Sequence, residues 1–271
     1  VVASETCAFD AIGAEFIRDI NPGEVISIDH HGIRSNDYST FKRHRMCVME
    51  YIYFARPDSD IEGCNVHSFR KLSGRLLYRE HPVDADIVVG VPDSSLSAAM
   101  GYSEASGIPY EMGLLKNKYV GRTFIQPPQE LRDKGVKMKL SPVRSIVSGK
   151  RIVLIDDSIV RGTTSRQIVR MLREAGATEV HVCIASPKYS YPCYYGVDTG
   201  TYDELIGSNH TTEQIREYIG ADSLYYLSLE ALYESSGRNM AKCELCTACF
   251  NGDYPTDLYN YTEDRLRHDK C

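Results

Sequence analysis

The sequence lacks any apolar run approaching the roughly 20 residues that a membrane-spanning helix needs. It also lacks an excess of positive charge. Against 31 Lys and Arg stand 37 Asp and Glu, a formal net charge of -6, which disfavours nonspecific binding to nucleic acid. The first residues, Val1-Val-Ala-Ser, have neither the basic flank nor the apolar core of a signal peptide, so a cytoplasmic setting is expected. There is no internal repeat and no low-complexity segment. The remaining composition is that of an ordinary globular chain, and 271 residues are enough to bury a full core. Nine cysteines are the exception. In a chain this long with alternating strands and helices, they point to a reduced, metal-binding protein rather than a disulfide framework.

One stretch carries the most chemistry, Arg151-Ile-Val-Leu-Ile-Asp-Asp-Ser-Ile-Val-Arg-Gly-Thr-Thr-Ser165. Ile152 to Ile155 read as a buried parallel strand. Asp156 and Asp157 stand at its carboxyl end, followed by Ser158, Arg161, Gly162, Thr163 and Thr164 in a tight segment. A helix is predicted over about 165–175, with Ile168, Val169, Leu172 and Ala175 on one stripe and Gly176 placed to end it. Val180 to Ala185 supply the next strand, so the unit is βαβ. Ligands of open α/β sheets bind at the carboxyl ends of the strands. Backbone N–H groups at the helix start, with the hydroxyls, can cradle a phosphate. Paired carboxylates would repel a phosphate but suit a sugar diol or Mg²⁺. The stretch therefore reads as a clamp for a ribose 5-phosphate.

A second strand–turn–helix precedes it. Asp86 to Val91 form a strand, Pro92-Asp-Ser-Ser95 a turn, and Leu96 to Ser106 a helix ended by Gly107. Ser94 or Ser95 suits the helix N-cap, and the turn offers donors for a diphosphate. From Lys116 to Arg151 there are ten basic and two acidic residues, a local charge of +8 in a negative chain. Breakers at Gly121, Pro127, Pro128 and Gly135 make the stretch from Lys116 to Leu140 a long loop. A further helix is expected over 212–219. Cys243-Glu-Leu-Cys-Thr-Ala-Cys249 has the local spacing of a metal site, but three thiolates do not close a four-cysteine centre. Cys47 and Cys193 are candidates for the distant ligands, with zinc as an alternative metal. His30, His31, His44 and His67 show no ligating spacing.

These features carry a resemblance. Arg151 to Ser165 resembles the phosphoribosylpyrophosphate (PRPP) motif of type I phosphoribosyltransferases. Over nearly its whole length the chain is similar to the amidophosphoribosyltransferases, the glutamine PRPP amidotransferase family. The further marks are Tyr51-Ile-Tyr-Phe-Ala-Arg-Pro-Asp-Ser59, Gly90-Val-Pro-Asp-Ser-Ser95, Lys116-Asn-Lys-Tyr-Val-Gly-Arg-Thr-Phe-Ile-Gln126 and Cys249-Phe-Asn-Gly-Asp-Tyr-Pro-Thr256. The resemblance implies an α/β phosphoribosyltransferase fold, a parallel sheet flanked by helices, over residues 36–235. Residues 1–35 would be the end of a glutaminase domain whose amino-terminal nucleophile is absent, and 236–271 a tail with cluster cysteines. It implies transfer of the phosphoribosyl group of PRPP to ammonia, drawn from glutamine in intact enzymes, as the first step of purine synthesis. Purine nucleotides would inhibit, and the assembly would be a homo-oligomer, a tetramer in the family.

The implied site residues are Asp156 and Asp157 for ribose and Mg²⁺, with Ser94 also on Mg²⁺. Asp93 and Ser94 lie in the pyrophosphate loop, and Ser158, Arg161, Gly162, Thr163 and Thr164 hold the 5-phosphate. Lys116, Tyr119 and Arg122 belong to a lid over the diphosphate. Cys47, Cys193, Cys246 and Cys249 match the ligands of a [4Fe–4S] cluster, with Cys243 left as a spare thiol. Two other activities suit the same fold: a PRPP-sensing protein without turnover, and a transferase acting on a nucleobase.

Overall fold

Short β-branched runs build the centre of the molecule because a strand covered on both faces can be apolar at every position. The structure, a computed structural model, describes residues 1–38, 44–117, 140–199, 201–237 and 245–258. Its main sheet has four strands: β1 (Ile87–Gly90), β2 (Arg151–Asp156), β3 (Glu179–Ile184) and β4 (Ser223–Tyr226). They lie side by side in the order β1-β2-β3-β4, and all are parallel. Ile87 pairs with Ile152, and Val180 also pairs with Ile152, which seats β2 at the sheet's centre.

The helices follow from the same alternation of patterns. Val66–Glu80 is α1, Leu96–Ser106 α2, Thr163–Glu174 α3, Thr212–Ile219 α4 and Leu229–Ser235 α5. The strand period of two divides the core. Val88, Val153, Ile155 and Cys183 pack on one face with Phe69, Leu77, Ala98, Tyr102 and Leu232. Ile87, Val89, Ile152, Leu154 and Val182 pack on the other with Ile168, Leu172, Ile215 and Ile219. The predicted 212–219 helix is present, and Thr211 with Gln214 forms a capping box at its start.

Helices α1 and α2 cross at backbone contact. A Cβ on Gly74 would sit 1.9 Å from the Ala98 carbonyl oxygen, and one on Gly101 1.9 Å from that of Lys71. The first 38 residues lie outside this core: a short helix Cys7–Ile12 and an antiparallel hairpin, Glu24–Asp29 with Gly32–Asp37. They attach through Glu5, which accepts from the Arg56 N–H and the Ser59 hydroxyl at 2.8 Å each, and through Thr6, which accepts from the Asp60 N–H. Among the described residues, no helix is long and apolar enough to cross a membrane.

Candidate active site

β1 and β2 end together, so the turns that follow them meet at one edge of the sheet. The Val91 N–H donates to the Ile155 carbonyl at 2.9 Å, and Asp156 is the last residue of β2. Asp156 and Asp157 are 9% and 8% exposed, so two adjacent carboxyls are nearly dry. The Ser94 hydroxyl donates to Asp157 Oδ2, and the Ser95 hydroxyl to Asp156 Oδ1 at 3.1 Å. The sequence suggests a capping role for one of these serines. Ser95 does take the N-cap position of α2, but its side chain makes no cap bond. Both hydroxyls serve the acid pair instead, because a buried carboxylate is the stronger acceptor. Burial pushes both carboxyl pKa values up. For Asp156 the charge of Asp157 pushes further, while for Asp157 the hydroxyls of Ser94 and Ser158 and the charge of Arg70 pull back. Such a pair gains from any partner that supplies donors or positive charge, so it can hold a diol or a divalent cation.

The segment after Asp157 differs in detail from the sequence reading. Helix α3 begins at Thr163, two residues earlier than predicted, and ends at Glu174, just before Ala175 and Gly176. Gly162 is its N-cap at φ +73°, a left-handed conformation that a side chain resists. A Cβ there would also lie 3.0 Å from Ile206 Cδ1. Thr163 and Thr164 therefore stand exposed in the first helical turn, where N–H groups have no partner within the helix. That is the arrangement that binds phosphate. Two neighbours point elsewhere. The Ser158 hydroxyl donates to Asp157 Oδ1 at 2.8 Å, and Arg161 pairs with Glu204 at 3.1 Å.

Lys116 ends the strand Leu114–Lys116, which pairs antiparallel with Leu140–Pro142. Its ammonium donates to Asp93 in the first turn, whose Pro92–Asp93 peptide is cis. The base of the predicted loop thus reaches the same edge of the sheet. Tyr119, Arg122 and Cys243 lie outside the described residues. Arg70 has a sequence signal that is easy to overlook. It is an arginine on the apolar stripe of α1, with Val66, Phe69, Ser73 and Leu77 buried around it.

The four candidate cysteines come together from distant segments. Met46–Cys47 pairs in parallel with Leu245–Cys246, with Cys47 opposite Cys246. Cys47, Cys193, Cys246 and Cys249 all line one open cavity of about 920 Å³. Burial pushes the Cys47 thiol up to about 11, with the charges of Cys246 and Cys193 adding to it. The Cys249 thiol is also raised, by burial first and then by Cys47, Cys246 and Cys193. The Tyr195 N–H donates to Cys193 Sγ at 3.4 Å. Among the described residues, no three Cys, His, Asp or Glu converge closely enough for a single metal ion. His44 lines the same cavity with its Nε2 at 2.6 Å from Glu62, and His67 bonds Ser97.

Comparison with known proteins identifies the domain and the fold. Residues 69–202 match the family described as phosphoribosyl transferase domain. The chain is 60% identical over 264 residues to an amidophosphoribosyltransferase of Bacillus subtilis (strain 168), covering 97% of this chain and 56% of that protein. It is 55% identical over 270 residues to one from Staphylococcus aureus (strain MRSA252), covering 99% and 55%. Among solved structures it matches the B. subtilis glutamine PRPP amidotransferase complexed with ADP and GMP, with a TM-score of 0.87 and 59% identity, over 94% of this chain and 57% of that one. The chain thus spans about half the length of these relatives. On the domain match, the identity over nearly the whole chain and the likeness of fold, the chain belongs to the amidophosphoribosyltransferase family and carries its phosphoribosyl transferase domain.

Proposed function

We propose that this chain transfers the 5-phosphoribosyl group of PRPP to ammonia, releasing pyrophosphate and forming 5-phosphoribosylamine, the opening step of purine synthesis. The observation that carries the reading is the buried Asp156–Asp157 pair, bonded to Ser94 and Ser95 and followed at once by a helix N-terminus. The acid pair accepts from the ribose diol. The N–H groups at the start of α3 and the hydroxyls of Thr163 and Thr164 take the 5-phosphate. Asp93, Ser94 and Lys116, with Tyr119 and Arg122 of the loop, surround the diphosphate. The ammonia lone pair forms the new bond at the anomeric carbon as the bond to the diphosphate oxygen breaks and its electrons leave with pyrophosphate. The ammonium so formed then loses a proton. Positioning and charge neutralisation are the protein's share.

Mg²⁺ fits the donor set of Asp156, Asp157 and Ser94, since two dry carboxyls with raised proton affinity favour a divalent cation. When bound it supplies charge neutralisation of the leaving diphosphate. A [4Fe–4S] cluster fits the cavity of Cys47, Cys193, Cys246 and Cys249, because four thiols there repel one another's ionised forms and a cationic centre relieves that. Its role would be to tie three distant segments of the chain together. We read residues 1–35 as the end of a glutaminase domain, 36–235 as the transferase and 236–271 as a tail. Glutamine as ammonia source, purine nucleotides as inhibitors, a homo-oligomer and a cytoplasmic location belong to the same proposal.

Pyrophosphate release from PRPP and Mg²⁺ tests the reading. Release is expected with ammonium chloride as the ammonia source. Release only with a nucleobase would favour the base-using alternative, and PRPP binding without release the sensing one.

A further inference from the structure

Arg70 lies on the buried face of α1 and is 4% exposed. A guanidinium is seldom placed there unless its donors are used. Nε donates to the Tyr51 carbonyl at 2.7 Å, and a terminal nitrogen to the Ala55 carbonyl at 2.9 Å. Both carbonyls belong to the π-helical turn Glu50–Phe54 and its C-cap. Turns of this kind leave carbonyls turned out of the regular ladder and occur often at functional sites. This turn begins three residues after Cys47, with Met49 as its N-cap.

A strut for that turn accounts for two donors. It does not account for what lies on the other side. Arg70 shares with Ser73, Ser94, Ser95 and Asp157 a small void of about 10 Å³. That volume is at the lower limit for one water, and a buried water needs two to four polar partners, which these side chains provide. Among the described residues, Arg70 is the basic side chain whose charge acts on Asp157. Asp157 thus meets the Ser94 hydroxyl from the first turn and, across the void, the guanidinium of α1.

We propose that Arg70 is a positioning residue for phosphoribosyl transfer, holding Asp157 and Ser94 in place through its charge and one trapped water. The proposal rests on the reading of the acid pair as the site of ribose and Mg²⁺. Arg70 never touches the substrate. It sets the carboxylate and the hydroxyl that do, and it fixes them against the turn that leads from the cysteine cavity.

The test compares the full chain with Arg70→Met and Arg70→Lys, measuring melting temperature, the Kd of PRPP in Mg²⁺, and kcat and KM for PRPP with ammonium chloride. Both variants lose the paired carbonyl bonds, so both should melt earlier by similar amounts. Arg70→Met should weaken PRPP binding about tenfold or more, since a buried charge then loses its partner. Arg70→Lys keeps the charge and should return to within about threefold of the unmodified chain. A role in packing alone would make the two variants equal in affinity, and that result overturns the proposal. So does an Arg70→Met protein that binds PRPP as the unmodified chain does. Should Arg70→Met not fold, Ser73→Thr carries the test: its methyl fills the void and leaves the guanidinium bonds in place. Its PRPP affinity is expected to fall severalfold, and an unchanged affinity overturns the proposal. Failure of the unmodified chain to bind PRPP with Mg²⁺ would overturn the reading of the site itself, and this proposal with it.

Discussion

Burial of Asp156 and Asp157 strips water from two adjacent negative charges. Their hydroxyl partners supply neutral donors, which offset only part of that desolvation. A carboxyl whose folded pKa is raised favours the folded state below its unfolded value, near 3.8, and costs stability once the pH rises through the folded value. Without Mg²⁺, the pair should therefore destabilise the fold at pH 8. Asp156→Asn and Asp157→Asn each remove one of these charges and keep the shape. Each is expected to lower PRPP turnover by about a hundredfold or more. Each should also raise the melting temperature of the metal-free protein, most clearly at pH 8, with a gain on the order of 1 kcal/mol. Calorimetric melts with and without Mg²⁺, beside pyrophosphate release, check both halves. Near-normal turnover in both variants would place the ribose site elsewhere. A fall in melting temperature would mean that hydrogen bonds to the ionised carboxylates outweigh desolvation.

At the scale of elements, the α1–α2 crossing sets where the first turn stands. Gly74 and Gly101 let the two helices approach until backbone meets backbone. Alanine at position 74 would gain helix propensity of about 1 kcal/mol. Its methyl would also lie 1.9 Å from the Ala98 carbonyl oxygen, which a helix cannot withdraw without moving as a whole. The clash wins, and Gly74→Ala is expected to cost about 3 kcal/mol in urea unfolding. Because α2 starts at the Pro92–Ser95 turn, the displacement should also raise the KM for PRPP. An Ala variant as stable as the parent chain would show that the helices have slack in this crossing.

For the whole molecule, the cysteine cavity joins segments that are far apart in sequence. Cys47 precedes the main sheet, Cys193 follows β3, and Cys246 and Cys249 lie beyond α5. Anaerobically purified protein should hold four irons and four sulfides per chain and lose stability as oxygen bleaches it. Cys193→Ser should reduce the iron content sharply, whereas Cys64→Ser and Cys243→Ser should leave it unchanged. A colourless protein with one tightly held zinc would assign the cavity to zinc. Full iron in Cys193→Ser would remove that residue from the ligand set.

Much of this molecule can be read from its residues alone, and the reason is locality. The apolar run at 152–155, the adjacent Asp156 and Asp157, and the glycine at 162 determine strand, acid pair and turn within a dozen residues of one another. Short-range sterics and burial leave few other arrangements for such patterns. The resemblance added the distant cysteines, Cys47 and Cys193, which spacing leaves as candidates only. What tertiary structure decided were the pairings between segments. The serines expected to cap α2 turn to Asp156 and Asp157 because β1 and β2 end side by side. Helix α3 starts at Thr163 rather than Ser165 because Gly162 can take the left-handed turn against Ile206. Arg70 shares a void with Asp157 because α1 packs on one face of the sheet, with Phe69 and Leu77 against Val88, Val153 and Ile155. A sequence states which groups need partners, but which partner each one meets depends on the register of strands and the crossing of helices, and these follow from packing summed over the entire core.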